Sequence, residues 1–365
     1  MDPIRFGIIG GGWRAEFYME IARMLPHFFQ VECVYLRNVD KREAFYQKWG
    51  VQTVGTPEEL LRKTSLDFIV LAVSKQAAGE WILSLTAEQQ NLPVLIETPP
   101  APGLAELRQL ARNLPSGARI QVAEQYPLLP HHQARTAVLE SGLLGDSVHV
   151  RVSAGHGYHG VSLIRRWLGI CDNSRCTITG QRLHGTIIEG PQRGRPPQEE
   201  RYVPSVQDVA VLTWEENNRS ALYDFTRDQY FSPIRKMSVL VRGTRGEIAD
   251  NRISFMHSFS EAGSSMLCRE QTGGEGNLSP LSLEGISFRG EFVYRNPFYP
   301  APLNDEQTAI ADVLFRMRQY ARNGSSFYSI TEAMHDTYLG YMIDKAVSTG
   351  QTIEACFADW LAGSK

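Results

Sequence analysis

Three consecutive glycines, Gly10-Gly11-Gly12, end an apolar run that begins at Ile4, and Trp13-Arg14-Ala15 open a stretch of helical spacing directly after them. A strand that turns this sharply into a helix needs a residue tolerant of unusual backbone angles, and no side chain where backbone must approach a neighbour. The pattern Gly-x-Gly-x-x-Ala at positions 10, 12 and 15 meets both needs, and the small residue at 15 lets the helix pack close to the strand. The first N–H groups of such a helix attract phosphate. The segment therefore reads as the phosphate turn of a dinucleotide site, with Gly10, Gly12, Trp13 and Arg14 as cofactor-binding residues.

The residues that follow keep one rhythm up to about position 123. Apolar runs at Val31–Leu36, Gln52–Val54, Asp67–Val73 and Pro93–Glu97 alternate with helical patterns at Trp13–Met24, Lys41–Trp49 and Ala77–Gln89. Thr56-Pro57-Glu58-Glu59 supplies an N-cap, a first-turn proline and acidic residues for a further helix. Asp67–Val73 is nearly all apolar, as a strand covered on both faces must be. Strands and helices alternating at this spacing predict a doubly wound parallel α/β sheet, a Rossmann domain, over residues 1–123.

Beyond residue 124 the pattern changes. One helix, 132–141, leads into longer alternating strands at 147–153, 208–214, 220–225, 237–242 and 247–253, and the chain closes with helices at 305–320 and 330–349. Residues 189–200 and 258–282, rich in Gly, Ser or Pro, read as loops. Residues 124–365 are thus expected to form an α+β domain with an open, mostly antiparallel sheet, serving substrate binding and oligomerisation. An open sheet face needs covering, which predicts a homo-oligomer, a dimer or tetramer.

Composition limits the function. A net charge of −3 over 365 residues leaves no basic excess for nucleic acid or an anionic membrane, so the expected partner is a small-molecule substrate. No window approaches the roughly 18 apolar residues of a membrane span, and the N-terminus lacks a secretion-signal pattern. The five cysteines are scattered and odd in number, and Cys171 and Cys176 have no partner pair at zinc-ligand spacing. Reduced thiols in the cytoplasm and no metal are expected. His131 and His132, adjacent on a helix, should point different ways.

The residues after the second strand bear on the nucleotide. An acid there would hold an adenosine ribose, but the stretch reads Tyr35-Leu36-Arg37-Asn38-Val39-Asp40, and Arg37 suits a 2′-phosphate. NADP is favoured over NAD.

These features together resemble the glucose–fructose oxidoreductase / inositol dehydrogenase / rhizopine catabolism family, Gfo/Idh/MocA. The resemblance rests on the glycine turn, a Glu-x-Pro at Glu97-Thr98-Pro99 after the fifth strand, a Gly-x-His at Gly157-Tyr158-His159, and the Ile330-Thr331-Glu332-Ala333 helix. It implies pyridine-nucleotide chemistry on sugars, polyols or similar hydroxy compounds. It also implies a lysine beside the nicotinamide, an aspartate before the histidine and an acid three residues beyond it. This chain has Thr98, Gly155 and Ser162 at those places, and alanine where a histidine often follows the fourth strand. The scaffold is retained and the usual catalytic set is not.

His159 is the foremost candidate for proton exchange, because imidazole titrates near neutrality. Tyr126 and Glu124, near the domain junction, are a candidate donor and acceptor, and Glu97 joins the catalytic candidates. Ser74, Glu97 and Thr98 complete the expected cofactor contacts. Lys75 offers a replacement cation. Arg165 and Arg166 suit a substrate anion, unless one serves a structural ion pair. Three functions follow: an NAD(P)-dependent oxidoreductase of a hydroxylated substrate, a redox-neutral glycosidase, epimerase or lyase retaining its nucleotide, or a non-catalytic nucleotide-binding protein.

Overall fold

The computed structural model describes residues 2–63, 65–88, 92–191 and 199–363. The chain divides into two compact units, Met1–Pro130 with Glu270–Gly285 and Arg295–Met334, and His131–Arg269 with Ile286–Tyr294 and His335–Lys365.

The first unit is built on a six-stranded parallel sheet. Its strands and helices alternate as β1 (Ile4–Ile9), α1 (Trp13–Met24), β2 (Phe29–Tyr35), α2 (Val39–Trp49), β3 (Thr53–Val54), α3 (Pro57–Leu61), β4 (Phe68–Leu71), α4 (Lys75–Glu88), β5 (Val94–Ile96), α5 (Leu104–Asn113) and β6 (Ile120–Val122). The strand order is β3-β2-β1-β4-β5-β6, so the order of winding reverses between β1 and β4, where doubly wound folds bind ligands. β4 and β5 are buried at every position, as their unbroken apolar runs require. α1 spans the predicted residues, and Thr56 caps α3 by accepting from Glu59 N.

One helix from far along the chain belongs to this unit. α8, Asp305–Asn323, begins at a capping box formed by Asn304 and Gln307. Its Ile310, Leu314 and Met317 share a core with Phe6, Tyr18, Phe29 and Val34, and Phe298 meets Phe28 edge-on at 5.4 Å. Beside β6, Gln121 Oε1 accepts from Phe327 N and Tyr328 N at 2.9 Å each.

The second sheet has eleven strands. In chain order its elements are α6 (Pro130–Glu140), β7 (Ser147–Ser153), α7 (Tyr158–Leu168), β8 (Cys176–Ile188), β9 (Tyr202–Trp214), β10 (Arg219–Thr226), β11 (Ser238–Gly243), β12 (Gly246–Ala249), β13 (Arg252–Met256), β14 (Ala262–Thr272), β15 (Ser282–Phe288), β16 (Glu291–Arg295), α9 (Ile330–Thr349), β17 (Ile353–Ala355) and α10 (Phe357–Ala362). The order is β16-β15-β14-β13-β12-β11-β7-β10-β9-β8-β17. Pairing is mostly antiparallel, as expected, with β7 and β10 parallel.

Three expectations change. Residues 247–253 are not one strand but parts of two, β12 and β13, reversing at Asp250, whose φ is +53°. Asp250 tolerates that angle, and its carboxylate accepts from Val239 N at 2.8 Å. Within the expected loop 258–282, Ala262–Thr272 is β14, paired antiparallel with β13. Its Gly, Ser and Arg content hides the alternation, and ladder bonds hold it where burial does not. The long β8, paired with β9 from Thr177↔Thr213 to Ile188↔Tyr202, was not anticipated. Residues 192–198 of the other expected loop, and Gln89 at the expected end of α4, lie outside the described residues.

Candidate functional site

The phosphate turn has the geometry that its glycines demand. Gly10 takes φ +124°, and a Cβ there would lie 2.1 Å from the Ala72 carbonyl oxygen on the neighbouring strand end. A Cβ at Gly11 would lie 2.2 Å from Leu36 Cδ2. Gly12 differs: its φ is −83°, and a Cβ would meet nothing within 4 Å. Glycine at 12 therefore answers no crowding within the protein. It keeps open the space in front of α1, whose N-cap offers no side chain to its own N–H groups. That opening, at the positive end of a three-turn helix, fits a pyrophosphate. Trp13 beside it is 57% exposed.

Arg37 is exposed after β2, and Asn38 caps α2 by accepting from Lys41 N at 2.9 Å. Asp40 lies in the first turn of α2 and points to solvent. Ser74, also exposed, follows β4, and its carbonyl accepts from Ala77 N and Ala78 N. Lys75 opens α4 at the surface.

Glu97, just past β5, is the centre of a buried polar cluster. Its Oε1 accepts from the Tyr18 hydroxyl at 2.5 Å, and its Oε2 lies 3.1 Å from Arg14 Nε. Arg14 also donates to Glu306 Oε1 at 3.0 Å, from the first turn of α8. With the Gln125 amide oriented to donate to the Ala123 carbonyl, its oxygen accepts from Arg14 Nη2 at 3.2 Å. Burial alone would lower the Arg14 pKa, but Glu97, Tyr18 and Glu306 outweigh it and hold the guanidinium charged. Burial, then Glu97, raises the Tyr18 phenol well above its usual value. Thr98, half-buried, brings no charge to this edge. Glu124 is buried and accepts from Tyr126 N at 3.1 Å, at the start of the short turn Tyr126–Leu128, with Tyr126 itself buried.

In the second unit, a bent glycine segment presents an aromatic and imidazole cluster. Gly155 and Gly157 take φ +81° and +45°. His156 Nδ1 lies 2.7 Å from the Tyr230 hydroxyl, and Gly157 N donates to the Tyr223 hydroxyl at 2.8 Å. His159 is buried in the first turn of α7, its ring 4.3 Å from that of Tyr158 and 5.0 Å from that of His156. Gly160 is required by packing, since a Cβ would lie 2.7 Å from the Tyr223 ring. Burial, the largest influence, raises the Tyr223 phenol pKa. Ser162 donates to the His159 carbonyl at 2.8 Å.

Several candidates turn out to be structural. Arg165 pairs with the buried Asp336 at 2.7 Å, the ion-pair alternative, while Arg166 is exposed. The His131 and His132 rings do not diverge but lie 4.2 Å apart. Arg135 donates to His132 Nδ1 at 3.0 Å and the Trp167 ring packs 5.3 Å away, which fixes the inner ring. Among the described residues, no group of three or more His, Cys, Asp or Glu side chains suits a metal ion. Sequence reasoning missed Tyr18 and Glu306. Tyr18 stands four residues beyond Arg14 on one helix face, a readable signal, whereas nothing local marks Glu306 as a partner.

Residues 4–123 match the model of the Gfo/Idh/MocA family, described as an oxidoreductase family with an NAD-binding Rossmann fold. No curated protein matches the chain. Solved structures do. One is an oxidoreductase from Agrobacterium radiobacter in complex with NAD+, L-tartaric acid and magnesium, 15% identical with TM-score 0.67, covering 96% of this chain and 98% of that one. A myo-inositol dehydrogenase from Corynebacterium glutamicum is 14% identical with TM-score 0.63, with the same coverage, 96% and 98%. A transcriptional regulator from Kluyveromyces lactis is 14% identical with TM-score 0.63, covering 96% and 94%. At these identities the likeness is one of fold. The match to the Gfo/Idh/MocA oxidoreductase family is therefore confined to residues 4–123, and the likeness of the rest of the chain to solved structures is one of fold.

Proposed function

We propose that this chain is an NAD(P)-dependent oxidoreductase acting on a hydroxyl or carbonyl group of a sugar-like or otherwise hydroxylated small molecule. The observation that carries the reading is the contrast within the phosphate turn: Gly10 and Gly11 are required by the protein's own packing, but Gly12 faces open space at the start of α1. Residues 1–123 serve the nucleotide, and residues 124–365 serve substrate binding and assembly into a homo-oligomer in the cytoplasm. Gly10, Gly12 and the first turn of α1 hold the pyrophosphate. Arg37, exposed after β2, receives a 2′-phosphate, which favours NADP.

The nicotinamide, when bound, supplies hydride transfer. The chain supplies the rest. Ser74, Thr98 and the backbone around them line the nicotinamide side, and Glu97 fixes that edge by its bonds to Tyr18 and Arg14. His159 exchanges the hydroxyl proton, with Tyr126 as a second donor. The test is titration of the protein with NADPH and NADH by fluorescence, followed by a panel of hydroxy and keto compounds read by reduced-nicotinamide absorbance. Absence of nucleotide binding at millimolar concentration would end this reading.

A second reading draws on Thr98 and on the Glu97 carboxylate, whose oxygens are both engaged by Tyr18 and Arg14. With threonine at 98 and both oxygens of Glu97 already engaged, the chain would bind nucleotide without turnover, as a sensor or partner subunit. Nucleotide binding without turnover of any compound supports it. Substrate deuteration in heavy water without net redox change would instead identify a redox-neutral lyase, epimerase or glycosidase.

A further inference from the structure

The second unit contains a cleft of about 510 Å3 that none of the roles above uses, apart from His156 on its rim. That size lies within the usual range for small-molecule sites. Strands β8, β9 and β10 form its floor and α9 one wall. Val206, Phe225 and Ile343 give it an apolar side. Its charged lining carries both signs, Arg182 and Arg227 against Asp208, Asp228 and Asp344.

Part of this charge is settled within the protein. Arg182 donates from Nε and Nη2 to the two oxygens of Asp208, at 2.7 and 3.0 Å, and again from Nη2 to Asp344 Oδ1 at 2.9 Å. This fork holds the guanidinium plane fixed and neutralises Asp208. Two consecutive residues of the short turn after β10 are not settled in this way. Arg227 is exposed, and no carboxylate among the described residues pairs with it. Asp228 accepts from the Ser205 and Thr226 hydroxyls through Oδ2, while Oδ1 has no donor among the described residues. Neutral hydroxyls leave the Asp228 charge uncompensated, and Asp344, which shares Arg182 with Asp208, adds to it. The cleft thus holds an unmatched cation at Arg227 and unmatched negative charge at Asp228 and Asp344.

We infer that this cleft binds a zwitterion, an α-amino acid with an apolar side chain, whose carboxylate meets Arg227 and whose ammonium meets Asp228. The inference goes beyond the oxidoreductase reading and does not depend on it. A guanidinium matches a carboxylate with two parallel hydrogen bonds, and an ammonium supplies the donor that Asp228 Oδ1 lacks. An α-amino acid carries its two charges on one carbon, and the residues that meet them are adjacent in the chain. Asp344 reinforces the attraction for the ammonium. The apolar side chain lies on Val206, Phe225 and Ile343, which removes it from water. A ligand with one charge fits less well. A lone carboxylate faces Asp228 and Asp344 with nothing to offset them, and a lone amine is repelled by Arg227.

The test uses the full chain without added nucleotide, titrated calorimetrically with L-phenylalanine, L-leucine, hydrocinnamate and phenethylamine. The two amino acids are expected to bind, and the two analogues, each lacking one charge, to bind at least about tenfold more weakly. Arg227→Gln changes an exposed side chain, so the fold should hold. It should weaken L-phenylalanine by about tenfold and leave phenethylamine no weaker than in the parent. Asp228→Asn keeps an oxygen for Ser205 and Thr226. It should weaken L-phenylalanine by about tenfold and leave hydrocinnamate no weaker. The inference is overturned if neither amino acid binds at millimolar concentration, if either analogue binds as tightly as L-phenylalanine, or if Arg227→Gln binds L-phenylalanine as the parent does. NADPH is titrated into separate samples. Amino-acid binding without nucleotide binding sinks the oxidoreductase reading alone, and the converse sinks this one alone.

Discussion

The Nε of Arg14 lies 3.1 Å from Oε2 of Glu97, with the two side chains only 12% and 11% exposed, so the first turn of α1 and the end of β5 share one buried ion pair. Glu306 and Tyr18 complete it, the first at 3.0 Å from Arg14 and the second at 2.5 Å from Glu97. The pair joins the segment that would receive phosphate to the segment that would lie by the nicotinamide. A set of charges this enclosed acts on both stability and position.

Removing the cation should be costly. Arg14→Met strands the buried Glu97 carboxylate, and loss of one partner of a buried pair costs about 3–5 kcal/mol. Tyr18→Phe removes a single hydrogen bond to a charged group and should cost about 1.5–3 kcal/mol. Urea unfolding of the three proteins checks the order. Equal stability of Arg14→Met and the parent would mean that the pair is open to water.

The two outer glycines of the turn should separate folding from binding. Gly10→Ala forces a Cβ to 2.1 Å from the Ala72 oxygen at φ +124°, and a lowered melting temperature is expected. At Gly12 an added Cβ meets nothing within 4 Å and φ is ordinary, so the melting temperature of Gly12→Asp should hold. It should lose nucleotide affinity at least about a hundredfold, by obstruction and by charge repulsion. A Gly12→Asp protein that binds NADPH as the parent does would remove this turn from the binding site.

Those glycines also show what the sequence makes legible. Gly10 is bound to its own neighbourhood by a strand, a turn and a helix within a dozen residues, so pattern alone defines the bounds of α1. β8 and β14 escaped because what holds them is distant. β8 is fixed by pairing with β9 across a polar, glycine-containing stretch, and β14 by a ladder with β13 despite little burial. The Arg182 fork closes over Asp208 and Asp344, 26 and 162 residues away, which no local spacing encodes. His159 was legible as an imidazole on a glycine-bent turn. Its burial in α7 was not, because that depends on Tyr158 and on the sheet beneath.

His132 gives the protein a calculable acid sensitivity. Burial, then His131 and Arg135, pushes its pKa well below the ordinary value, and its Nδ1 must stay unprotonated to accept from Arg135. The unfolded chain binds this proton near pH 6.5, and the folded chain does so only at much lower pH. The contribution to stability is therefore present above about pH 6.5 and lost as pH falls below it. Between about pH 7.5 and 5.5 it amounts to about 1.4 kcal/mol. His132→Gln should lose that much less over the same interval in urea titrations, and an identical pH slope would mean that His132 titrates normally when folded.

Arg37 sets an expectation for the nucleotide. An exposed guanidinium after β2 can reach a 2′-phosphate, whereas NADH offers it only a ribose hydroxyl. Arg37→Ala should weaken NADPH binding by about tenfold or more and leave NADH within about twofold. Fluorescence titration with both nucleotides reads the ratio. If both affinities move together, Arg37 does not discriminate, and the preference for NADP falls.

Thr98→Lys addresses the missing charge directly. Thr98 follows Glu97 on the edge of the sheet, and threonine cannot stabilise the oxyanion that forms as a hydroxyl loses its proton. A lysine there would supply a cation without disturbing Arg14, which is already held by Glu97, Glu306 and Gln125. If His159 and the nucleotide turn still form a working set, turnover of a hydroxylated substrate should rise by about tenfold to a hundredfold, at the low end of what acid–base groups contribute. The gain should appear in kcat more than in KM, because the charge acts on the reacting oxygen. NADPH titration runs in parallel, so that a lysine that merely improves nucleotide binding is recognised. A Thr98→Lys protein that binds nucleotide as before and turns over nothing would show that the chain lacks more than one catalytic group, and nucleotide binding without chemistry would become the better account of it.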